Sequence, residues 1–175
     1  MIVTFVCTAN ICRSSYAEVV AKHRLESAGI EGVTVHSAGT WAHRGQRMYP
    51  EMAAEAAKRG AVPRGFRSRR LDRVLVEQSD LLLTAEEAHR AFVLEEWPRA
   101  FRRVVTLRQF AAAIAAADPD LGLPELLAQA RNVRFPGGKS DVIDPYERGP
   151  VASEACAADL DALLDVIVPR LAGLG

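Results

Sequence analysis

Long apolar runs are missing from this chain: nothing in it approaches the ~20 consecutive apolar residues that a membrane-spanning helix needs. An excess of charge of one sign is missing too. The 22 Lys and Arg are matched by 22 Asp and Glu, so no overall field draws the molecule to nucleic acid or to an anionic membrane. Cysteine is scarce, with three in 175 residues, and Cys7 and Cys12 lie close together. That odd count excludes a secreted disulfide framework and fits a reducing, cytoplasmic setting. The four histidines are scattered without ligand spacing, so neither a metal nor a cofactor is expected. Met1 leads straight into a short apolar stretch with no basic region before it, unlike a secretory signal peptide. There are no internal repeats, no linker and no low-complexity tract beyond alanine-rich stretches. With 49% hydrophobic and 25% charged residues, the chain is expected to fold as one domain, 1–175, around its own core.

Against this plain background one stretch stands out, Val6-Cys7-Thr8-Ala9-Asn10-Ile11-Cys12-Arg13-Ser14, directly after the apolar run Ile2 to Val6. A buried strand is expected to deliver Cys7 into a short loop, with a helix starting as the loop ends. A loop curled in this way points successive backbone N–H groups inward and makes a seat for an anion. The helix adds its positive N-terminal end. Arg13 can close the cup with a bidentate guanidinium fork on two phosphate oxygens. A thiolate in that field is stabilised as any bound anion would be, and Ser14 can donate its hydroxyl to it. Asn10 tolerates left-handed backbone and is expected to brace the loop by bonding its own backbone. Cys7 therefore reads as a nucleophile poised under a phosphate.

The remaining pattern supplies a frame. Ala17, Val20, Ala21, Leu25 and Ala28 fall on one helical stripe ended by Gly29, and Val33 to Val35 reads as a second strand before Ser37-Ala38-Gly39-Thr40. A strand–helix–strand unit of this length implies parallel, right-handed pairing. Ligands in such sheets sit beyond the carboxyl ends of the strands, where both Cys7 and the Ser37 loop lie. Helices are expected over 51–59, 71–76, 85–94, 107–117, 124–130 and 151–171, and strands over 80–84 and 103–106. Ala152, Cys156, Leu160, Leu163, Leu164 and Ile167 share one face of the last helix, so Cys156 reads as core. Arg64, Arg67, Arg69 and Arg70 form a basic cluster that is either a solvated surface or a contact for acidic substrate flanks. The stretch 118–140 is assigned no chemistry.

The Cys7-to-Ser14 segment resembles the phosphate-binding loop of the low-molecular-weight protein tyrosine phosphatases, which usually reads C-x-G-N-I-C-R-S-P after the first strand. Ser37-Ala38-Gly39-Thr40, Ser68-Arg69-Arg70-Leu71, Asp80 to Thr84 and Asp144-Pro145-Tyr146 extend the resemblance along nearly the whole chain. The resemblance implies an α/β fold in three layers: a four-stranded parallel sheet, order 2-1-3-4, with helices on both faces. It also implies a metal-free reaction through a cysteinyl-phosphate. Cys7 would be the nucleophile, Arg13 the phosphate ligand and Asp144 the general acid. Thr8, Ala9, Asn10, Ile11, Cys12 and Ser14 would form the substrate-binding loop, with Ser37 supporting it and Tyr146 stacking on the substrate ring. A carboxylic acid at Asp144 makes chemical sense, because an alkyl or aryl oxygen leaves more readily when protonated, and Pro145 would hold it extended.

Three positions depart from the family: Ala9 for glycine, Ser15 for proline, and Glu147 for a second aromatic residue after Tyr146. Trp41 and Tyr49 can either form the opposite wall of an aryl slot or pack elsewhere. By resemblance Cys12 is a partner that traps oxidised Cys7 as a disulfide; it is equally a small filler under the loop. The implied reaction is hydrolysis of a protein phosphotyrosine, with a phosphotyrosine-bearing protein as partner. Ile11 points the same way, since family members acting on phosphoarginine tend to carry threonine there. Arsenate reduction on the same fold would need relay cysteines that this chain lacks. A phosphate-binding module without turnover would not need all three of Cys7, Arg13 and Asp144.

Overall fold

The computed structural model describes residues 1–135 and 140–174. Residues 136–139, within the stretch assigned no chemistry, and Gly175, at the end of the expected 1–175 span, lie outside the described residues. Strand β1 (Ile2–Cys7) is the spine of the sheet, buried from Val3 onward. It pairs in parallel with β2 (Thr34–Gly39) on one side and with β3 (Leu81–Thr84) on the other, and β3 pairs with β4 (Val104–Thr106). The order β2-β1-β3-β4 is the expected one. With helices on both faces, the strands can be apolar throughout, which is why β3 reads Leu-Leu-Leu-Thr.

The two-residue period of the strands sorts the core into two layers. Val3, Phe5, Leu81, Leu83 and Val105 face α1 (Arg13–Ser27), α2 (Pro50–Lys58), α5 (Leu107–Ala116), α6 (Leu123–Asn132) and α7 (Gly149–Leu171). Val6, Ala38, Leu82 and Val104 face α3 (Arg73–Gln78), α4 (Glu87–Glu96) and a 3-10 turn over Pro98–Arg102. Each fully buried Leu or Phe contributes about 1.5–3 kcal/mol by leaving water. The predicted α1 stripe is buried through Leu25, whereas Ala28 is the exposed cap residue after the helix. Asp161 on α7 ties the helical layer together, accepting from Tyr16 Oη at 3.0 Å, from Arg24 Nη2 at 2.9 Å and from Arg59 Nε.

Two differences from the sequence reading bear on the site. β2 runs on to Gly39 instead of ending at Val35, because β1 offers it partners as far as Cys7, opposite Gly39. Ser37 is thereby a buried strand residue and not part of a loop. The helix read at 85–94 starts two residues later, leaving Ala85 and Glu86 as a turn at the carboxyl end of β3.

Candidate active site

The loop between Cys7 and Arg13 is shaped by what holds its outer side. Carbonyls of Cys7, Thr8 and Ile11 accept from the amides of Thr40, Trp41 and Tyr49 at 2.9, 2.9 and 2.8 Å. Asn10 takes a left-handed backbone, φ 56°, and with the carbonyls drawn outward the amides turn in. Among the described residues, the amides of Ala9 to Cys12 donate no hydrogen bond within the protein. The first turn of α1 adds to them, since its N-cap Cys12 provides no side-chain cap. Gly39 makes the tight seat possible. A Cβ there would fall 2.4 Å from the Thr8 carbonyl oxygen and 2.9 Å from the Asn10 nitrogen, so only glycine fits.

Inside the loop the Cys7 sulfur lies 2.9 Å from Ser14 Oγ. Asn10 Nδ2 donates to Ser14 Oγ at 3.0 Å and to Ser37 Oγ at 2.7 Å, and Asn10 Oδ1 accepts from the Arg69 amide at 2.9 Å. Asn10 thus braces the loop through Ser14, Ser37 and Arg69, not through its own backbone as the sequence led us to expect. The physical reason is that all three partners converge on its buried side chain and use both Nδ2 protons and the Oδ1 acceptor. Ser37 in turn donates to the buried carboxylate of Glu18. Ser14 Oγ accepts from Asn10, and its one proton has two acceptors in reach, the Ala38 carbonyl at 3.3 Å and the sulfur at 2.9 Å; a thiolate, which can only accept, draws it to the sulfur. Asn10→Ala is expected to lower kcat on p-nitrophenyl phosphate about 10- to 100-fold with a smaller change in KM, because it frees the loop geometry without touching Cys7 or Arg13. Steady-state kinetics decide it; an unchanged kcat would remove Asn10 as a positioning residue.

Arg13 is 2% exposed and held from one side. Its Nη1 donates to Glu86 and, at 2.9 Å, to the Val142 carbonyl, and its Nη2 donates to Asp144 Oδ2 at 3.0 Å. Burial works against its charge, but Cys7, Glu86 and Asp144 outweigh burial and raise its pKa. Its Nε is buried with no partner. Asp144 reaches it because the preceding segment is sewn to the end of β3: the Val142 amide donates to the Ala85 carbonyl and the Glu87 amide to Asp141 Oδ1, both at 2.8 Å. The Tyr146 amide then turns back on Asp144 Oδ1 at 3.3 Å.

These groups open into a cavity of about 330 Å³ lined by Cys7, Ile11, Arg13, Asp144 and Tyr146, with His43 and Gln46 on the rim. Thr8, Ala9 and Cys12 complete the lining. Tyr49 stands against Tyr146, ring centroids 5.2 Å apart. Trp41 does not join this wall. It points away, under Arg70 at 4.9 Å and against Phe92 at 5.8 Å. Of the three departures, Ala9 carries no cost, because among the described non-glycine residues only Asn10 and Glu147 have positive φ. Ser15 donates to the Cys12 carbonyl at 2.9 Å, a contact that proline could not make. Glu147 pushes the neighbouring Tyr146 phenol up and brings a carboxylate beside it.

The sequence profile of the low molecular weight phosphotyrosine protein phosphatases matches residues 2–135. The chain belongs to this family. It is 30% identical to a protein-arginine-phosphatase of Geobacillus stearothermophilus, over 97% of this chain and 95% of that protein. It is 31% identical to a low molecular weight protein-tyrosine-phosphatase of Streptomyces coelicolor, over 91% of this chain and 87% of that one. The fold matches the crystal structure of a low molecular weight protein tyrosine phosphatase from T. tengcongensis with a TM-score of 0.78 at 23% identity, covering 97% of this chain and 99% of that chain. The protein is thus an enzyme of the protein-phosphatase class, a phosphoric monoester hydrolase.

For a member of this family the structure assembles Cys7, Arg13, Ser14, Asn10, Ser37, Asp144 and Tyr146 around one cavity mouth or its brace. Sequence reasoning overlooked four residues. Glu86 holds Arg13, Glu18 receives Ser37, Gln46 lines the rim, and His89 lies buried under the loop with Nε2 2.8 Å from Thr8 Oγ1. Burial holds His89 below its ordinary pKa and neutral. Only Glu18 left a trace, as an acid close to the apolar stripe of α1. Arg69, read only as part of a basic cluster, belongs to the brace. Cys12 and Cys156 are buried free thiols; burial pushes Cys12 upward and Cys156 up to about 12. Among the described residues no three His, Cys, Asp or Glu come together as a metal site, and no helix is long and apolar enough to cross a membrane.

Proposed function

We propose that the enzyme hydrolyses protein phosphotyrosine through a cysteinyl-phosphate on Cys7, with Asp144 as general acid. The observation that carries this reading is the convergence on one cavity of a cysteine in a ring of open amides, an arginine with an unpartnered Nε, and a carboxylate. An incoming phosphate takes Arg13 Nε–H together with an Nη2 proton as a two-point fork, while Glu86 and the Val142 carbonyl keep Nη1 in place. That exchange releases Asp144 from Arg13, close to the leaving oxygen. Cys7 sulfur attacks phosphorus, the ester P–O bond breaks, and the Asp144 carboxylic acid protonates the departing phenol oxygen. The Asp144 carboxylate then takes a proton from water as it attacks the S–P bond, and Ser14 receives the departing thiolate with a hydrogen bond.

Relatives of nearly equal identity are named for phosphoarginine and for phosphotyrosine, so the choice rests on the cavity. Ile11 offers a guanidinium no acceptor, and the Tyr146 and Tyr49 rings offer a phenyl ring stacking partners. Phosphotyrosine peptide is expected to be turned over with a kcat/KM at least about 100-fold above the matching phosphoarginine peptide, a difference of about 3 kcal/mol in transition-state binding. Ile11→Thr should narrow that ratio. A preference for phosphoarginine in the unaltered enzyme would overturn the substrate assignment while leaving the chemistry intact; no turnover of either would favour a phosphate-binding module.

A further inference from the structure

A second cavity, of about 660 Å³, lies along the outer edge of β2 between α1 and the segment 60–69. It shares no lining residue with the first. Lys22, His36, Arg64, Arg67 and Arg69 face it, with Glu18 and Glu26 as the acids. Glu18 is already occupied by Lys22 and Ser37. Among the described residues, Arg64, Arg67 and Arg69 form no ion pair, although eleven such pairs occur outside this cavity. Burial, reinforced by the charges of Arg69 and Lys22 and opposed by Glu18, holds His36 below its ordinary pKa. The cavity is thus a concave space richer in cations than in acids, whose guanidinium groups make no ion pair among the described residues, within the usual ~300–1,000 Å³ range of small-ligand sites.

We propose that this cavity binds a small polyanion of the diphosphate class, and that its occupancy alters the rate at the cysteine loop. The floor of the cavity is the back of the loop's brace. Glu18 accepts from Ser37, Ser37 accepts from Asn10, and Asn10 holds Ser14, which is 2.9 Å from the Cys7 sulfur. Arg69 joins both ends. Its guanidinium lines the cavity and donates through Nε to the Ser37 carbonyl at 2.9 Å, while its backbone amide holds Asn10 Oδ1. The element with two positions is the Lys22 side chain, 45% exposed, which can pair with Glu18 or with a bound anion. When Lys22 turns to the anion, Ser37 is the remaining partner of the Glu18 carboxylate among the described residues. A hydrogen-bonded chain of this kind transmits such a change in polarisation to its far end.

The test uses inorganic pyrophosphate, without divalent cations, on the full chain. In calorimetry the cysteine loop is first saturated with vanadate, so that only the second cavity is open. Pyrophosphate is expected to bind in one equivalent, and Arg64→Ala/Arg67→Ala should weaken that binding at least about tenfold. In p-nitrophenyl phosphate turnover, pyrophosphate should raise KM by competition at the loop and also shift kcat by about twofold or more. The kcat component should vanish in the double variant, whose own kcat without pyrophosphate stays at the wild-type value. No binding to the vanadate-blocked protein, or binding untouched by the double substitution, overturns the site. A kcat independent of pyrophosphate overturns the coupling. The calorimetric arm needs no turnover, so a failure of the proposed reaction would be seen separately.

Discussion

Cys7→Ser is expected to reduce turnover of p-nitrophenyl phosphate by about 10⁴-fold or more while the protein still binds vanadate or inorganic phosphate. The two halves of that expectation come from different parts of the loop. Binding relies on the open amides of Ala9 to Cys12, the first turn of α1 and Arg13, none of which the substitution touches. Turnover relies on the sulfur. A serine hydroxyl is not ionised near neutral pH, and Ser14 is placed to donate to a thiolate, not to take a proton from an alcohol. Neither remaining cysteine can substitute. Cys12 and Cys156 are buried, and burial pushes both thiols up, so they stay protonated. Rate measurements at saturating substrate, with calorimetric titration of vanadate on the same preparation, read both halves. Residual hydrolysis within about tenfold of the unaltered enzyme would mean that the phosphoryl group goes directly to water, and the covalent route would be wrong.

The parts of the site that were legible in the sequence are those in which the chemistry is contiguous. From Cys7 to Ser14 the strand end, the loop and the helix start follow one another, so spacing alone placed a thiol, amides and a guanidinium together. The sheet order was legible through the family resemblance and agrees with the parallel crossovers the pattern required. What could not be read were contacts made only when separate strand ends come side by side. Glu86 reaches Arg13 because β3 pairs with β1, Val6 opposite Thr84, and nothing around Glu86 marks it as anything but a helix-start acid. The length of β2 was misjudged for a related reason. Ser-Ala-Gly has little strand propensity, and pairing with β1 imposes it. The direction of Trp41 was equally out of reach, since an irregular segment has no periodicity from which to infer a face. Asn10 was misread in detail because its left-handed backbone was legible while its three partners, up to 59 positions distant, were not.

Asp144→Asn is expected to steepen the dependence of kcat/KM on the leaving group: phenyl phosphate should lose about 10²–10³-fold, and p-nitrophenyl phosphate markedly less. The asparagine side chain has nearly the same shape, and its oxygen can still accept from Arg13 Nη2, as Asp144 Oδ2 does at 3.0 Å. Anchoring of the segment is independent of the substituted group, because it runs through the Val142 amide on Ala85 and the Asp141 carboxylate on Glu87. Substrate binding should therefore change little. What is lost is a transferable proton, and that matters in proportion to how poorly the oxygen leaves without one. A nitrophenolate departs as an anion at modest cost, whereas a phenolate resembling tyrosine does not. The same substitution should slow hydrolysis of the S–P bond, since the carboxylate that takes the proton from water is gone, so the burst of phenol should exceed steady turnover with good leaving groups. A uniform loss across a series of substituted phenyl phosphates would assign Asp144 to holding Arg13 and nothing more. In that case Glu147, the acid next to Tyr146 that pushes its phenol up, would be the next carboxylate to substitute.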